Sequence, residues 1–288
     1  MATKLFALFA GVVAIAAAQQ PPAPPFVTKQ ITKDVYWVNG GGGNSGVFVG
    51  KKGVVVVDAK TTTDGGKQLL AEIAKITPKP VTTVILTHSD GDHVNGLAAF
   101  PAGVTVIAHE NNKKEQEAAL KAGGRGAPPS DHLPSRLVTK HKEAMNLDGV
   151  RLVVYHWGVA HTSGDLVVEF PAAKIVFTGD IIATQRVDPI IHPEKGGTSE
   201  GWIETTKGVL ALNATTYIPG HGDPQTKADI EKRLTSTVQK RDKIKELMTQ
   251  GKSADEIHQA VGDPAPAPGR GGPSFAGLVE IVAQESKK

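Results

Sequence analysis

Leu86-Thr87-His88-Ser89-Asp90-Gly91-Asp92-His93-Val94-Asn95-Gly96 places two imidazoles and two carboxylates within six consecutive residues. That density of donors points to metal binding rather than to a solvated polar loop. An apolar, β-prone run at residues 81–86 precedes the cluster, so it begins where a buried strand ends and a loop opens. In extended backbone His88 and Asp90 project the same way, because side chains repeat with period two, whereas Asp92 and His93 follow a turn at Gly91. The spacing predicts two pairs of ligands facing two neighbouring ions.

Upstream, residues 35–39 and 46–50 read as two strands joined by Gly40-Gly41-Gly42-Gly43-Asn44, a hairpin with a mobile, glycine-rich tip. Residues 53–58 form an apolar run that closes on Asp58, the pattern of a buried central strand, and Asp58 is a candidate supporting group behind the ligands. Asp64 is expected to cap a helix that buries Leu69, Leu70, Ile73 and Ile76.

Downstream, a short helix at 94–100, a strand at 104–108, a charged helix at 111–122 and a Gly/Pro loop at 123–134 lying over the site are expected. His109, His132 and His141 have no partner at metal spacing and read as surface or helix-cap histidines. Strands at 151–155, 166–170 and 174–177 are joined by segments that carry His161, in Ala160-His161-Thr162-Ser163-Gly164-Asp165, and Asp180, in the turn Thr178-Gly179-Asp180. A helix at 198–212 leads to a strand at 215–218 and then to Pro219-Gly220-His221-Gly222-Asp223, where flanking glycines let the backbone bring His221 close to a ligand. Helices at 227–248 and 253–261 complete the body.

The 288 residues are 40% hydrophobic and 21% charged, enough for a substantial core, and one domain at residues 26–262 is expected. Aromatics make up only 5%, so the core rests on Val, Ile, Leu and Ala, which suits sheets. A net charge of +3 with interspersed signs and no basic stripe gives no support to nucleic acid as a partner. Lys4, the apolar run at 5–14 and Ala16-Ala17-Ala18 read as a signal peptide over residues 1–18, too short for a comfortable membrane span. A proline-rich tether at 19–25 follows, and the mature protein is expected to be periplasmic or secreted, with no stable membrane insertion after cleavage. There is no cysteine, hence no disulfide and no thiolate ligand. Residues 263–288 read as a Pro/Gly linker and a tail helix that docks back or frays.

Together these pieces resemble the metallo-β-lactamase-fold hydrolase superfamily, whose His-x-His-x-Asp-His motif, later His, Asp after a Thr-Gly turn and His in Pro-Gly-His-Gly hold a dinuclear centre. The resemblance implies an α/β fold, a four-layer αββα sandwich with its site at one edge between two sheets. It also implies the ligands: His88, Asp90 and His161 for one ion, Asp92, His93 and His221 for the other, and Asp180 bridging.

This chain departs from the family pattern at Asp90, which stands where the motif has its second histidine. A carboxylate there removes one formal positive charge from the centre and lowers its Lewis acidity. Hard oxygen ligands shift preference from Zn2+ toward iron or manganese. Such a carboxylate resembles that of the superfamily's diiron flavoproteins, although their flavin domain is missing here. Lys195, in His192-Pro193-Glu194-Lys195-Gly196-Gly197, is either a holder of a substrate carboxylate at the mouth or an exposed loop lysine.

The leading reading is an exported metallo-hydrolase of small molecules, with two zinc ions, in which a metal-bound hydroxide attacks a lactam, lactone, ester or thioester carbon and Asp92 orients the nucleophile or takes its proton. Alternatives are an iron-dependent redox enzyme on the same fold, acting on sulfur species or oxygen, and a non-catalytic protein binding metal and a small molecule.

Overall fold

In a computed structural model the described residues are 25–123, 130–263 and 276–287. The signal-peptide reading (1–18), all of the tether but Pro25, the centre of the 123–134 loop and residues 264–275 of the linker lie outside them.

Two sheets face each other. The first holds β1 (Val27–Thr32), β2 (Val35–Asn39), β3 (Ser45–Val49), β4 (Val54–Val57), β5 (Val81–Ile85), β6 (Thr105–His109) and β7 (Arg136–Val138), in that spatial order. It is antiparallel from β1 to β4 and parallel from β4 to β7. The second runs β12 (Thr216–His221), β11 (Ile175–Ala183), β10 (Val167–Phe170), β9 (Val150–Tyr155) and β8 (Lys142–Leu147), with only the β11–β12 pair parallel.

The four valines of β4 are buried on both faces. Val55 and Val57, with Phe48 of the same sheet, pack against Phe170 and Phe177 of the second sheet, whereas Val54 and Val56 face the helical layer with Leu69 and Ile73. The period-two alternation of a strand thus builds two cores from one apolar run. Ile175 and Phe177 of β11 likewise meet the inter-sheet core while Val176 turns outward. Each such buried side chain contributes roughly 1.5–3 kcal/mol relative to exposure.

The outer layer of the first sheet includes α1 (Thr63–Ile76); that of the second is α4 (Ser199–Ala211) and α5 (Lys227–Thr249), which bury Trp202, Val209 and Ile230. Helices therefore cover both sheets, giving the α, β, β, α layering. α2 (Gly91–Val94) is one turn in the central motif, α3 (Glu110–Ala122) follows β6, and α6 (Ala254–Val261) and α7 (Leu278–Glu285) pack with the end of α5. No helix among the described residues is long and apolar enough to cross a membrane.

Some local expectations need correction. The cap of α1 is Thr62, whose side chain accepts from Gly65 N, while Asp64 sits in the first turn and favours the helix only through its charge. The short helix expected at 94–100 is a 3-10 helix, Asn95–Ala99, and a further helical turn, Gly91–Val94, precedes it and carries Asp92 and His93. Asp180 lies inside β11 rather than in a turn after it, at an irregularity where the register with β12 shifts between Gly179 and Ala183.

α7 is held to the body by a buried histidine. His258 of α6 contacts Glu280 Oε1 at 2.7 Å and Asp263 O at 2.7 Å. Burial lowers its pKa, but both acceptors outweigh burial and raise it above 6.5. Because the folded value is the higher one, this contribution is complete below 6.5 and is lost as pH rises through the raised folded value. Amide exchange of α7 is expected to accelerate over that window, more than EX2 base catalysis accounts for, and an α7 whose protection is independent of pH there refutes the link.

Candidate metal centre

The site lies at the edge of the sandwich where β4, β5, β11 and β12 end or bend. Donor atoms of His88, Asp90, His161 and Asp180 all lie within 4.8 Å of one another, and so do those of Asp92, His93 and His221. The structure thus brings all seven residues singled out in the sequence into two adjoining groups. Asp180, a member of the first group, also reaches the second: Oδ1 is 3.3 Å from His93 Nε2 and Oδ2 is 3.5 Å from His221 Nε2.

The ring orientations are set from behind. Asp58, at the end of β4 with φ of 60°, accepts from Thr87 N at 2.8 Å and Thr87 Oγ1 at 2.7 Å, and it pairs with His93 Nδ1 at 2.8 Å. Since Thr87 Oγ1 spends its proton on Asp58, it accepts from His88 Nδ1 at 2.9 Å. One buried carboxylate therefore fixes two imidazoles. His161 Nδ1 donates to Ile190 O at 2.8 Å. In all three rings Nδ1 is occupied and Nε2 is turned into the cluster, the arrangement that outer hydrogen bonds impose on metal-binding histidines.

Electrostatics separate the rings. Burial and the neighbouring His93 and His161 hold His88 well below 6.5, so it is neutral. Burial also lowers His161, but the hydrogen bond and charge of Asp90 prevail and raise it to about 9. Burial opposes a charge on His93, and Asp180 and Asp58 overcome it to raise that ring well above 6.5. A cation entering at these Nε2 atoms displaces protons, which makes uptake pH-dependent. Burial raises Asp92, yet its hydrogen bond with His221 at 2.9 Å and the His93 charge bring it down to about 2. Its side chain is 35% exposed against 15% for His221, so Asp92 faces the open side.

Donor chemistry and an orphaned atom both fit a divalent ion. Among the described residues His88 Nε2 is buried with no hydrogen-bond partner, and Asp180 Oδ1 is buried with no contact but the 3.3 Å ion pair to His93 Nε2. An unsatisfied buried polar atom is costly, and a nitrogen lone pair and a carboxylate oxygen aimed into the cluster are what a cation would satisfy.

The glycine-rich connection between β2 and β3 is anchored, contrary to the mobile tip expected from its composition. Gly43 N donates to Asp92 O at 3.1 Å, Asn44 N donates to Gly220 O at 2.7 Å, and the buried Lys60 Nζ donates to Val38 O and Gly43 O, both at 2.8 Å. A Cβ on Gly43 would run into His93 Cε1, so that glycine is needed for close approach rather than for freedom. Gly43→Ala is expected to cost about 1–3 kcal/mol by overpacking and to weaken metal uptake through His93. A thermal melt of the metal-free variant matching wild type would show that the loop yields instead.

Of the residues outside the predicted seven, His192 and Lys195 converge on Asp90. His192 Nε2 is 3.2 Å from Asp90 Oδ2, and Lys195 Nζ pairs with Asp90 Oδ1. Lys195 is therefore not the exposed loop lysine of one expectation, since its ammonium pairs with Asp90 and is part-buried. Nothing local in the sequence links His192 to Asp90; only the folded loop does. His109 caps α3, accepting from Asn111 N at 3.2 Å, and stacks on His156 at 3.8 Å; His132 Nε2 lies 3.2 Å from Phe100 O, and His141 is exposed with Nδ1 on His156 O.

Comparison with known proteins agrees with this architecture. The chain is 26% identical over 200 residues to 2,4-dinitroanisole O-demethylase subunit alpha of Nocardioides sp. (strain JS1661), covering 69% of this chain but only 58% of that protein. It is 26% identical over 193 residues to metallo-beta-lactamase IND-1 of Chryseobacterium indologenes, covering 66% and 76%. Among solved structures, the sec-alkylsulfatase Pisa1 from Pseudomonas sp. superposes with a TM-score of 0.67 at 17% identity, over 84% of this chain and 46% of that one. The metallo-beta-lactamase FIM-1 from Pseudomonas aeruginosa, in its mono-zinc form, gives 0.64 at 19%, over 77% and 98%. The profile of the metallo-beta-lactamase superfamily matches residues 38–221, the span from β2 to His221 that holds all seven donors, and the chain belongs to that superfamily.

Proposed function

We propose that the protein is an exported metallo-hydrolase of small molecules that works with two divalent ions, zinc in the first instance. The supporting observation is the pair of adjoining donor groups, with His88 Nε2 buried among them and without a hydrogen-bond partner among the described residues. His88, Asp90 and His161 would hold one ion, Asp92, His93 and His221 the other, and Asp180 both. When bound, such ions supply Lewis acidity and make water acidic enough to react near neutral pH.

The chain's own residues then do the following. Asp58 and Thr87 keep the Nε2 lone pairs of His88 and His93 directed inward. Asp92, ionised and on the open side, accepts a hydrogen bond from water and so orients it toward an electrophilic carbon or a comparable ester centre. Relatives of this chain are named as a lactamase, an alkylsulfatase and an O-demethylase subunit, so similarity to them does not select the bond. Export is proposed from the sequence of residues 1–18 alone.

The test is metal analysis of protein purified without added metal, together with a panel of chromogenic lactam, lactone, ester, thioester and sulfate-ester substrates before and after chelation. Zinc near two equivalents and turnover that chelator abolishes and metal restores are expected. Iron as the resident metal with no hydrolysis favours the redox alternative, to which the carboxylate of Asp90 lends some support. Metal without any turnover favours the binding protein. N-terminal sequencing of exported protein should begin at Gln19, and an intact Met1 rejects the export reading.

A further inference from the structure

Asp90 divides its two oxygens between different surroundings. Oδ2 looks into the first donor group, 3.1 Å from His161 Nε2 and 3.8 Å from His88 Nε2, with His192 Nε2 3.2 Å from the same oxygen. Oδ1 looks away from it and is taken by the ammonium of Lys195.

Lys195 is a built part of the site and not a stray surface lysine. Its Nζ also lies 3.2 Å from Ser89 Oγ, which gives its own proton to Glu115 Oε2 at 2.5 Å; Glu115 Oε1 accepts from Ser163 Oγ at 2.6 Å. The main chain on either side is fastened to the His161 segment. Ser163 N donates to Lys195 O at 2.8 Å, His192 N donates to His161 O at 2.8 Å, and a Cβ on Gly197 would strike His161 O. The remaining charged group of the loop, Glu194, is turned to His192 Nδ1 at 2.5 Å. Backbone and side chain together leave the ammonium facing Asp90.

We infer that Lys195 returns to the first metal position the positive charge that Asp90 removes, so that the Asp90–Lys195 pair acts there as a formally neutral ligand in place of a histidine. This deepens the metallo-hydrolase reading and rests on it. A cation at Oδ2 would take the place of the contacts that His161 and His192 make there, while the ammonium on Oδ1 offsets the carboxylate's charge, and the pair carries no net charge, as imidazole carries none. The lowered Lewis acidity expected from the sequence at Asp90 is thereby compensated by a residue 105 positions away.

The inference makes the effects of Asp90 and Lys195 on metal affinity interdependent in sign. Metal-free wild type, Lys195→Met, Lys195→Arg, Asp90→His and the double variant Asp90→His/Lys195→Met would be titrated with zinc against a chromogenic chelator. A parallel set in the His221→Ala background reports the first donor group alone. Removing a unit positive charge a few ångströms from the ion should tighten binding at that position about tenfold or more in Lys195→Met. Lys195→Arg should stay within about threefold of wild type, since the charge is kept. Asp90→His alone should bind about tenfold more weakly, because the ammonium then faces the ion with no carboxylate between them, and the double variant should return close to wild type. Lys195→Gln repeats the charge removal with a polar side chain should Met disturb packing. A Lys195→Met and Lys195→Gln pair that both titrate like wild type, or tighter binding by Asp90→His while Lys195 is present, overturns the inference alone. Wild type that takes up no zinc overturns it together with the metal reading.

Discussion

Replacement of Asp58 by Ala is expected to destabilise the metal-free protein by about 3–5 kcal/mol, the cost of removing one partner from a buried charged network. Asp58 is 2% exposed, and its carboxylate holds Thr87 N, Thr87 Oγ1 and His93 Nδ1. All three would lose their buried partner. A second loss follows. With Thr87 Oγ1 free to rotate, the hydrogen bond that presents His88 Nε2 goes too, so one substitution disturbs a ligand of each donor group. Metal affinity should fall by about 10–100-fold, the range for groups that orient ligands from behind. Asp58→Asn keeps the volume and can still accept from Thr87, so it should recover much of the stability but little of the affinity, because the amide no longer offers His93 an anionic partner. Urea denaturation with and without metal separates the two. Asp58→Ala unfolding at the wild-type midpoint would mean the carboxylate is incidental.

How far the sequence carries depends on whether a signal is local. β4 and β5 are readable because an apolar run buried on both faces needs no partner to define it. β1 and β8 are not, since Val27–Thr32 and Lys142–Leu147 are mixed, largely exposed edge segments whose strand character comes from the neighbour they pair with. The motif residues can be picked out because the donor types are dense and the glycines around His221 mark close approach. Their surroundings cannot. Asn44, whose side chain donates to Pro219 O and Gly222 O and so shapes the turn that carries His221, lies 175 residues or more from those carbonyls. The glycines at 40–43 carry a second lesson: composition reads as mobility, whereas the fold uses Gly43 to let a histidine ring lie against backbone. Asp180 shows the same limit. A Thr-Gly-Asp sequence looks like a turn, but pairing with β12 keeps it in a strand that bends there.

That bend is what makes Asp180→Asn informative. Asp180 is 5% exposed, and the backbone of Gly220 is packed so tightly on it that a Cβ there would meet Asp180 Oδ1. An asparagine fits the same space, so the metal-free variant should fold, with a melting temperature within a few degrees of wild type, because a nearly isosteric exchange leaves no cavity. It removes a negative charge that lies between the two donor groups, however. Two cations a few ångströms apart repel each other, and an anionic oxygen between them offsets that repulsion far better than a neutral amide. Asp180→Asn is therefore expected to bind at most one equivalent of zinc tightly, against two for wild type under the proposed function, and to lose on the order of 10²–10³-fold in kcat/KM, the scale of a lost charge-stabilising group. Restoring activity with excess metal should fail, since what is missing is the bridge and not the concentration of ions. Zinc titration followed by rate measurement on the same samples checks both parts. Two tight equivalents in Asp180→Asn would show that the ions are held independently, and that Asp180 serves one of them only.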